Sequence, residues 1–306
     1  MPRVDPALLV VALFAFSFLF SLLAILRNLR IMRAEAAEED GDLAGTLETV
    51  TQDWRVILPH LVELRNRIFY SVIMLAVTTA ISFTFTSQLL DALMAPLPPD
   101  AIVVAATITD QLGMFMRIAL TSGLALAMPF IATQFWIFIS QGLKASERRY
   151  VYWFVPGATI LFITGAGFAY FVMLPAAIPF LLSIFEDVPN YLRLSDYVAD
   201  VTRLLMWIGL SFEIPLLIAA LARVGLITAR QLVQGWRVAV VAIAVLAALV
   251  TPTADPVNMA LVMAPLSVLY LLSILLAAIV RREPKERRQK SQRRRRLFRR
   301  KAKSET

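Results

Sequence analysis

Three acidic side chains could do chemistry: Glu63 and Glu147 in polar segments, and Glu213 where membrane energetics alone would not ask for it. His60-Leu61-Val62-Glu63-Leu64-Arg65-Asn66-Arg67 is a polar stretch just ahead of an apolar run. On a helix His60, Glu63 and Arg67 share one face at i, i+3 and i+7, while Leu61, Leu64 and Ile68 share another. Two readings of Glu63 follow. It is an i,i+4 partner of Arg67, worth about 0.2–0.5 kcal/mol, or a carboxylate held for a cationic ligand. Glu147, beside Arg148 and Arg149, is either a helix-start residue favoured by the macrodipole or a second acidic site. Glu213 lies inside the apolar run WIGLSFEIP at 207–215. A carboxylate near the bilayer centre costs about 2.5–3.5 kcal/mol, so such groups face a partner or a wet cavity, and a functional role is the better reading. Pro215, two residues on, leaves the Ser211 carbonyl without its helical donor and can open a kink. Arg117, Asp200 and Arg203 lie nearer helix ends, where snorkelling accounts for them. Thr251-Pro252-Thr253-Ala254-Asp255-Pro256 reads as a tight turn whose prolines fix the backbone.

Bond-making chemistry has no such inventory. The chain has no cysteine and one histidine, His60, which removes disulfides, thiolate clusters and any multi-histidine metal site. An intramembrane protease would need a Ser/His pair, paired aspartates or an HExxH motif on facing helices. Neither an enzyme nor a protein with a metal or other cofactor is expected.

The elements that position these residues must be membrane spans. Of 306 residues 59% are apolar and 17% charged, more apolar surface than a water-soluble fold of this size can hide. Runs near the ~20 residues needed to cross hydrocarbon occur at about 7–26, 68–90, 112–139, 150–184, 197–221, 238–250 and 258–280. The sixth is short, so it sits where the bilayer is thinned or behind neighbouring helices. The fourth is long and carries Pro156, Gly165, Gly167, Pro175 and Pro179, which predicts kinks and an early exit from the membrane.

Basic loops stay in the cytoplasm. Segment 27–67 holds six Arg, 141–149 holds Lys144, Arg148 and Arg149, and 222–237 holds Arg223, Arg230 and Arg237. The alternate segments 91–111 and 251–257 hold no Lys or Arg, and 185–196 holds only Arg193. The alternation puts the C-terminus inside and, with seven spans, the N-terminus outside. Arg27, Arg30 and Arg33 follow the first run instead of preceding it, so that run is expected to be an uncleaved anchor, not a signal peptide.

The expected organisation is an extra N-terminal anchor at 1–33, a cytoplasmic linker at 34–58, a six-span core at 59–280 and a basic, disordered tail at 281–306. The tail carries 14 Lys/Arg against 3 Asp/Glu, while the rest of the chain has a net charge of −3 within the overall +8. The tail is therefore expected to lie on anionic lipid, and a general nucleic-acid surface is not supported.

Several motifs in order, HLVELRNR, GLALAMPFIATQFWIFISQGLKASERR, GLSFEIPL, TPTADP and APLSVLYLLSI, resemble those of the TatC family of the twin-arginine translocase, over about 59–280. The resemblance implies an all-α polytopic membrane protein, with a six-helix, cup-shaped core to which the first span here is an addition. It implies a receptor for signal peptides with two consecutive arginines, working in the plasma (inner) membrane of a prokaryote. Its partners would be the single-span TatA-type and, where present, TatB-type subunits, with the receptor itself in a homo-oligomer, and folded proteins would cross on the proton-motive force. Carried over by position, Glu63 with Arg65 or Arg67 matches the amino-terminal recognition patch, and Glu147 the acidic residue of the first cytoplasmic loop. Glu213 matches the intramembrane glutamate, and Thr251 to Asp255 the outer loop where partner spans dock. Met259 stands where the family commonly has glutamine, and Leu271 where glutamate is frequent.

Residue chemistry agrees with a receptor. Adjacent side chains of an extended peptide point to opposite sides, so two consecutive arginines are best held by two acids on separate elements. Guanidinium forms a bidentate pair with carboxylate that lysine cannot reproduce. The alternative is a proton-coupled secondary transporter using Glu213, which would want inverted repeats or several midplane charges. The sequence has neither.

Overall fold

A computed structural model describes residues 57–280, apart from 100, 105–106, 142–144, 184–190 and 252–254, together with the single helical position Leu19. The expected first span, nearly all of the linker and the basic tail lie outside the described residues, as do the side chains of His60 and Glu147.

Helix α1 (Ile57–Thr84) carries both the polar stretch and the apolar run that follows it. The expected span 68–90 is broken at Phe85, whose backbone leaves helical geometry at φ −115°, ψ 12°, before α2 (Thr86–Met94). Threonines flank the break, and their hydroxyls donate backwards, Thr84 to the Ile81 carbonyl and Thr86 to that of Ser82. Such back-bonding competes with the regular ladder and bends helices.

Helix α3 (Ile108–Gln141) is 34 residues long, about 51 Å, and so exceeds the ~30 Å hydrocarbon core. It runs antiparallel to α1. Arg67 faces Gln134 and Thr78 faces Gly123, so eleven steps along α1 match eleven steps back along α3. Gly123 makes that approach possible, because a Cβ there would lie 2.6 Å from the Thr79 Cα. Met74, Ala127 and Phe130 fill the space beside it.

Helix α4 (Ala145–Phe168) continues through a π-helical turn (Ala169–Met173) into α5 (Leu174–Ser183). The Leu174 N–H reaches back five residues to Ala169. The wide turn falls just before Pro175, whose ring would press on the carbonyl four residues earlier in a regular α-helix. The expected kink is thus a local widening, and apolar helix persists to Ser183.

Helix α6 (Leu194–Ser211) breaks at Phe212 and Glu213 before α7 (Ile214–Val224), as Pro215 in the first turn of α7 requires. Helices α4 and α6 interlock reciprocally. A Cβ on Gly165 would fall 2.7 Å from the Phe212 ring, and one on Gly209 would fall 2.8 Å from the Phe162 ring. Gly225, at φ +88°, ends α7 in a left-handed turn closed by bonds to Leu221 and Ala222.

The short α8 (Ala229–Gln234) starts in a Thr228/Gln231 capping box. Helix α9 (Trp236–Val250) has 15 residues, about 22 Å. Val238, Val241, Val245 and Leu249 are exposed on it, while Ile243, Ala247 and Val250 are buried, so among the described residues neighbouring helices shelter one face only. Helix α10 (Pro256–Val280) packs on α7 and α9. The largest apolar core joins Ile118 of α3 to Met173, Val198, Val201, Ile208, Val250 and Val262.

Among the described residues five helical stretches are long and apolar enough to cross a membrane, and α9 is a shorter sixth. One small addition to the all-α expectation appears among the described residues. Strands β1 (Ile102–Val104) and β2 (Tyr191–Arg193) pair in parallel, with Ile102 opposite Tyr191. Arg193 clasps the loops by donating to Asp110 at 2.9 Å.

Candidate functional site

Helical spacing brings Glu63 and Arg67 together, and burial then makes the contact specific. Arg67 donates to one carboxylate oxygen of Glu63, Oε1, from Nη2 at 2.7 Å and from Nε at 3.2 Å. Its third arm, Nη1, donates to Gln134 Oε1 on α3 at 3.1 Å. The side chains of Arg67 and Glu63 are 16% and 25% exposed, and Gln134 is buried. Among the described residues Glu63 Oε2 has no hydrogen-bond donor. The cluster is therefore a pair with spare acceptor capacity, and not a saturated one.

Arg65 does not join it. Two residues from Glu63, and so about 200° around the helix, it is exposed and among the described residues bonds only its neighbour Asn66, at 3.2 Å and 3.4 Å. Of the two arginines that matched the recognition patch, Arg67 is the one in contact with Glu63. Gln134 was not foreseen among the site residues. The available signal was a primary amide inside the apolar stretch 123–139 of α3, where burial is costly without a hydrogen-bond partner.

Glu147 is the third residue of α4, and its side chain lies outside the described residues. Its backbone belongs to the same end of the bundle as the cluster, since α3 ends at Gln141, seven residues beyond Gln134, and α4 begins at Ala145. An apolar groove of about 300 Å³ runs between α1 and α3 from Arg67 and Gln134, along Ile68, Val72, Ile131 and Phe135.

Glu213 occupies the break between α6 and α7. Its Oε1 is buried and lacks a hydrogen-bond partner among the described residues. The residue is fixed from behind, because its neighbour Phe212 sits on Gly165 and stacks obliquely with Phe168 at 5.9 Å.

At the other end of the bundle, Thr251 is buried and donates to the Ala247 carbonyl at 2.9 Å. Asp255 precedes Pro256 at the start of α10 and acts as its cap. Its Oδ1 accepts from the Asn258 backbone N–H at 2.7 Å, and its Oδ2 accepts from the Asn258 amide at 2.8 Å. Both residues thus have structural work within the turn. A 380 Å³ cavity nearby is lined by Arg193, Asp196, Asp200, Thr251 and Asn258 with apolar residues of α5, α6 and α10. Asp200 pairs with Arg203 at 3.7 Å. Among the described residues no three His, Cys, Asp or Glu side chains gather where they could hold a metal.

Comparison with known proteins agrees with the arrangement of spans and motifs. The family model "Sec-independent protein translocase protein (TatC)" matches residues 59–265. The Sec-independent protein translocase protein TatC of Deinococcus radiodurans is 38% identical over 233 residues, 74% of this chain and 86% of that one. The Campylobacter jejuni protein of the same name is 37% identical, over 74% of this chain and 95% of its own length. A crystal structure of the twin arginine translocase receptor TatC superposes with a TM-score of 0.66 at 33% identity, covering 71% of this chain and 97% of that one. With matching motifs, matching spans and a matching fold, the chain belongs to the TatC family of Sec-independent protein translocase proteins, as a multi-pass membrane component of a Tat system.

Proposed function

We propose that the chain is the receptor subunit of twin-arginine translocation, binding signal peptides that carry two consecutive arginines. One arginine pairs with Glu63 and the other with Glu147, from two different helices. The observation that carries this reading is the state of Glu63: a partly buried carboxylate oriented by Arg67, with Oε2 left over to accept a further guanidinium. Arg67 offsets the charge of Glu63 without using its whole acceptor capacity, and a charge-assisted bond at that oxygen is of the stronger kind. The adjoining groove between α1 and α3 offers an apolar wall for the segment that follows the arginine pair.

In this reading the chain lies in the inner membrane of a prokaryote with the Glu63 end and the basic tail in the cytoplasm, and the N-terminus outside. TatA-type and, where present, TatB-type single-span subunits dock near Thr251 and Asp255, several copies assemble into one receptor complex, and folded cargo crosses on the proton-motive force. The direct test is binding of a fluorescent twin-arginine peptide to the purified chain in lipid nanodiscs, with a twin-lysine peptide as reference. A clear preference for the arginine peptide supports the receptor; equal binding of the two overturns it.

A further inference from the structure

We infer that Gln134 is a positioning residue of the recognition site: it holds Arg67 so that Glu63 keeps one carboxylate oxygen for an incoming arginine. The inference rests on the receptor reading of Glu63 and adds to it a residue on a second helix that sets the geometry of the pair.

An arginine facing a carboxylate on its own helix tends to close on both oxygens, since two parallel N–H···O bonds are stronger than two bonds converging on one oxygen. Here the guanidinium does otherwise. Nε and Nη2 both converge on Glu63 Oε1, and Nη1 is drawn across to α3. A planar guanidinium cannot turn one edge without turning the rest, so the bond to Gln134 fixes the angle at which the other edge meets Glu63. Gln134 can act this way because burial and helix packing hold it in place. It is 4% exposed and lies on the helix that Gly123 and Thr78 lock against α1 in register. It also carries no charge, so it orients Arg67 without competing with Glu63 for the ligand.

Released from Gln134, Arg67 can swing onto both oxygens of Glu63 and become an internal competitor for the ligand's guanidinium. The effect of Gln134 must then pass through Arg67, and that separates positioning from simple packing. The experiment is a double-mutant cycle on twin-arginine peptide affinity in nanodiscs, with Gln134→Met and Arg67→Met alone and together. Gln134→Met keeps the length of the side chain and removes the acceptor. It is expected to weaken binding about tenfold in the native background and to have no further effect once Arg67 is Met. Should Gln134→Met fail to insert, Gln134→Asn withdraws the oxygen by one methylene and serves in its place.

Unchanged affinity in Gln134→Met overturns the inference, as does an equal loss with and without Arg67. Failure of the unmodified chain to prefer arginine over lysine peptide is a different result, and removes the receptor reading itself.

Discussion

Gly123 backs directly onto Thr79: a methyl group added to the glycine would meet the Thr79 backbone at 2.6 Å and its hydroxyl at 2.4 Å. The adjacent Thr78 hydroxyl donates across the same contact to the Gly123 carbonyl at 2.8 Å. This is the small-residue packing by which helices associate in lipid, where no hydrophobic force separates helix from solvent. Because the Thr79 Cα and N also lie within 2.8 Å, turning the hydroxyl away would not relieve the clash. Gly123→Ala is expected to destabilise the chain by about 1–3 kcal/mol, read as a lower thermal midpoint in detergent. It should also weaken twin-arginine peptide binding, since it shifts Gln134 relative to Arg67. A midpoint at the unmodified value would show that the two helices can separate freely.

Glu63→Ala and Glu147→Ala are each expected to reduce peptide affinity severalfold or more. An exposed ion pair gives under about 1 kcal/mol, whereas a charge-assisted pair in a partly dry groove gives roughly 1.5–3. Arg65→Ala should have the smaller effect of a screened surface charge, because Arg65 stands apart from the cluster. Equal affinity of the Glu63/Glu147 double variant and the unmodified chain, by titration in nanodiscs, would remove both residues from the site.

Glu213→Ala is expected to impair export while leaving insertion and thermal stability intact. Its buried oxygen makes no hydrogen bond among the described residues, so deleting the carboxylate removes a desolvation cost and no contact of that kind. Stability given up for no structural return is the mark of a residue retained for function. Glu213→Gln then separates two roles: near-normal export if a polar contact suffices, failure if ionisation is needed. Normal export of a twin-arginine cargo by Glu213→Ala would deny the residue any role.

Asp255→Ala should cost about 1 kcal/mol through loss of the α10 cap, while Asp255→Asn keeps an acceptor for the Asn258 N–H and most of the stability. If partner docking uses the carboxylate as well, Asp255→Asn will lose co-purifying single-span subunits at an unchanged thermal midpoint. Full retention of those subunits would confine Asp255 to capping.

Orientation is testable without background labelling, because the chain has no cysteine. With the N-terminus outside, Arg3→Cys reacts with an impermeant thiol reagent added to intact cells, and Thr46→Cys and Ser304→Cys react only after permeabilisation. Reaction of all three from the cytoplasmic side would mean that the first run does not span.

Much of the fold was legible because lipid imposes a crude rule. Long apolar runs become helices, so α1, α3, α4 with α5, α6 with α7, and α10 follow from run length, and even the short α9 was visible as such. Pro215 foretold the break beside Glu213. Events that depend on neighbours were not readable: three-residue strands leave no periodicity, and the break at Phe85 depends on two threonine hydroxyls. At the site, spacing joined Glu63 to Arg67, but spacing within one helix says nothing of a partner 67 positions away, and so Gln134 was missed. Asp255 was read as a docking residue, although an aspartate before a proline is also a helix-start signal, and the structure gives it that work.

The Phe162/Gly209 and Phe212/Gly165 seats have a mechanical consequence. A glycine seat is a detent: its ring can leave only by rising over the neighbouring turn. With two opposed detents three residues apart on each helix, α4 cannot ratchet past α6 unless both rings climb out together. Alternating-access machines need one half to rock against the other, and this joint is built to resist that travel. For the receptor proposed above, a frame stiff at this joint would keep the peptide site at one geometry.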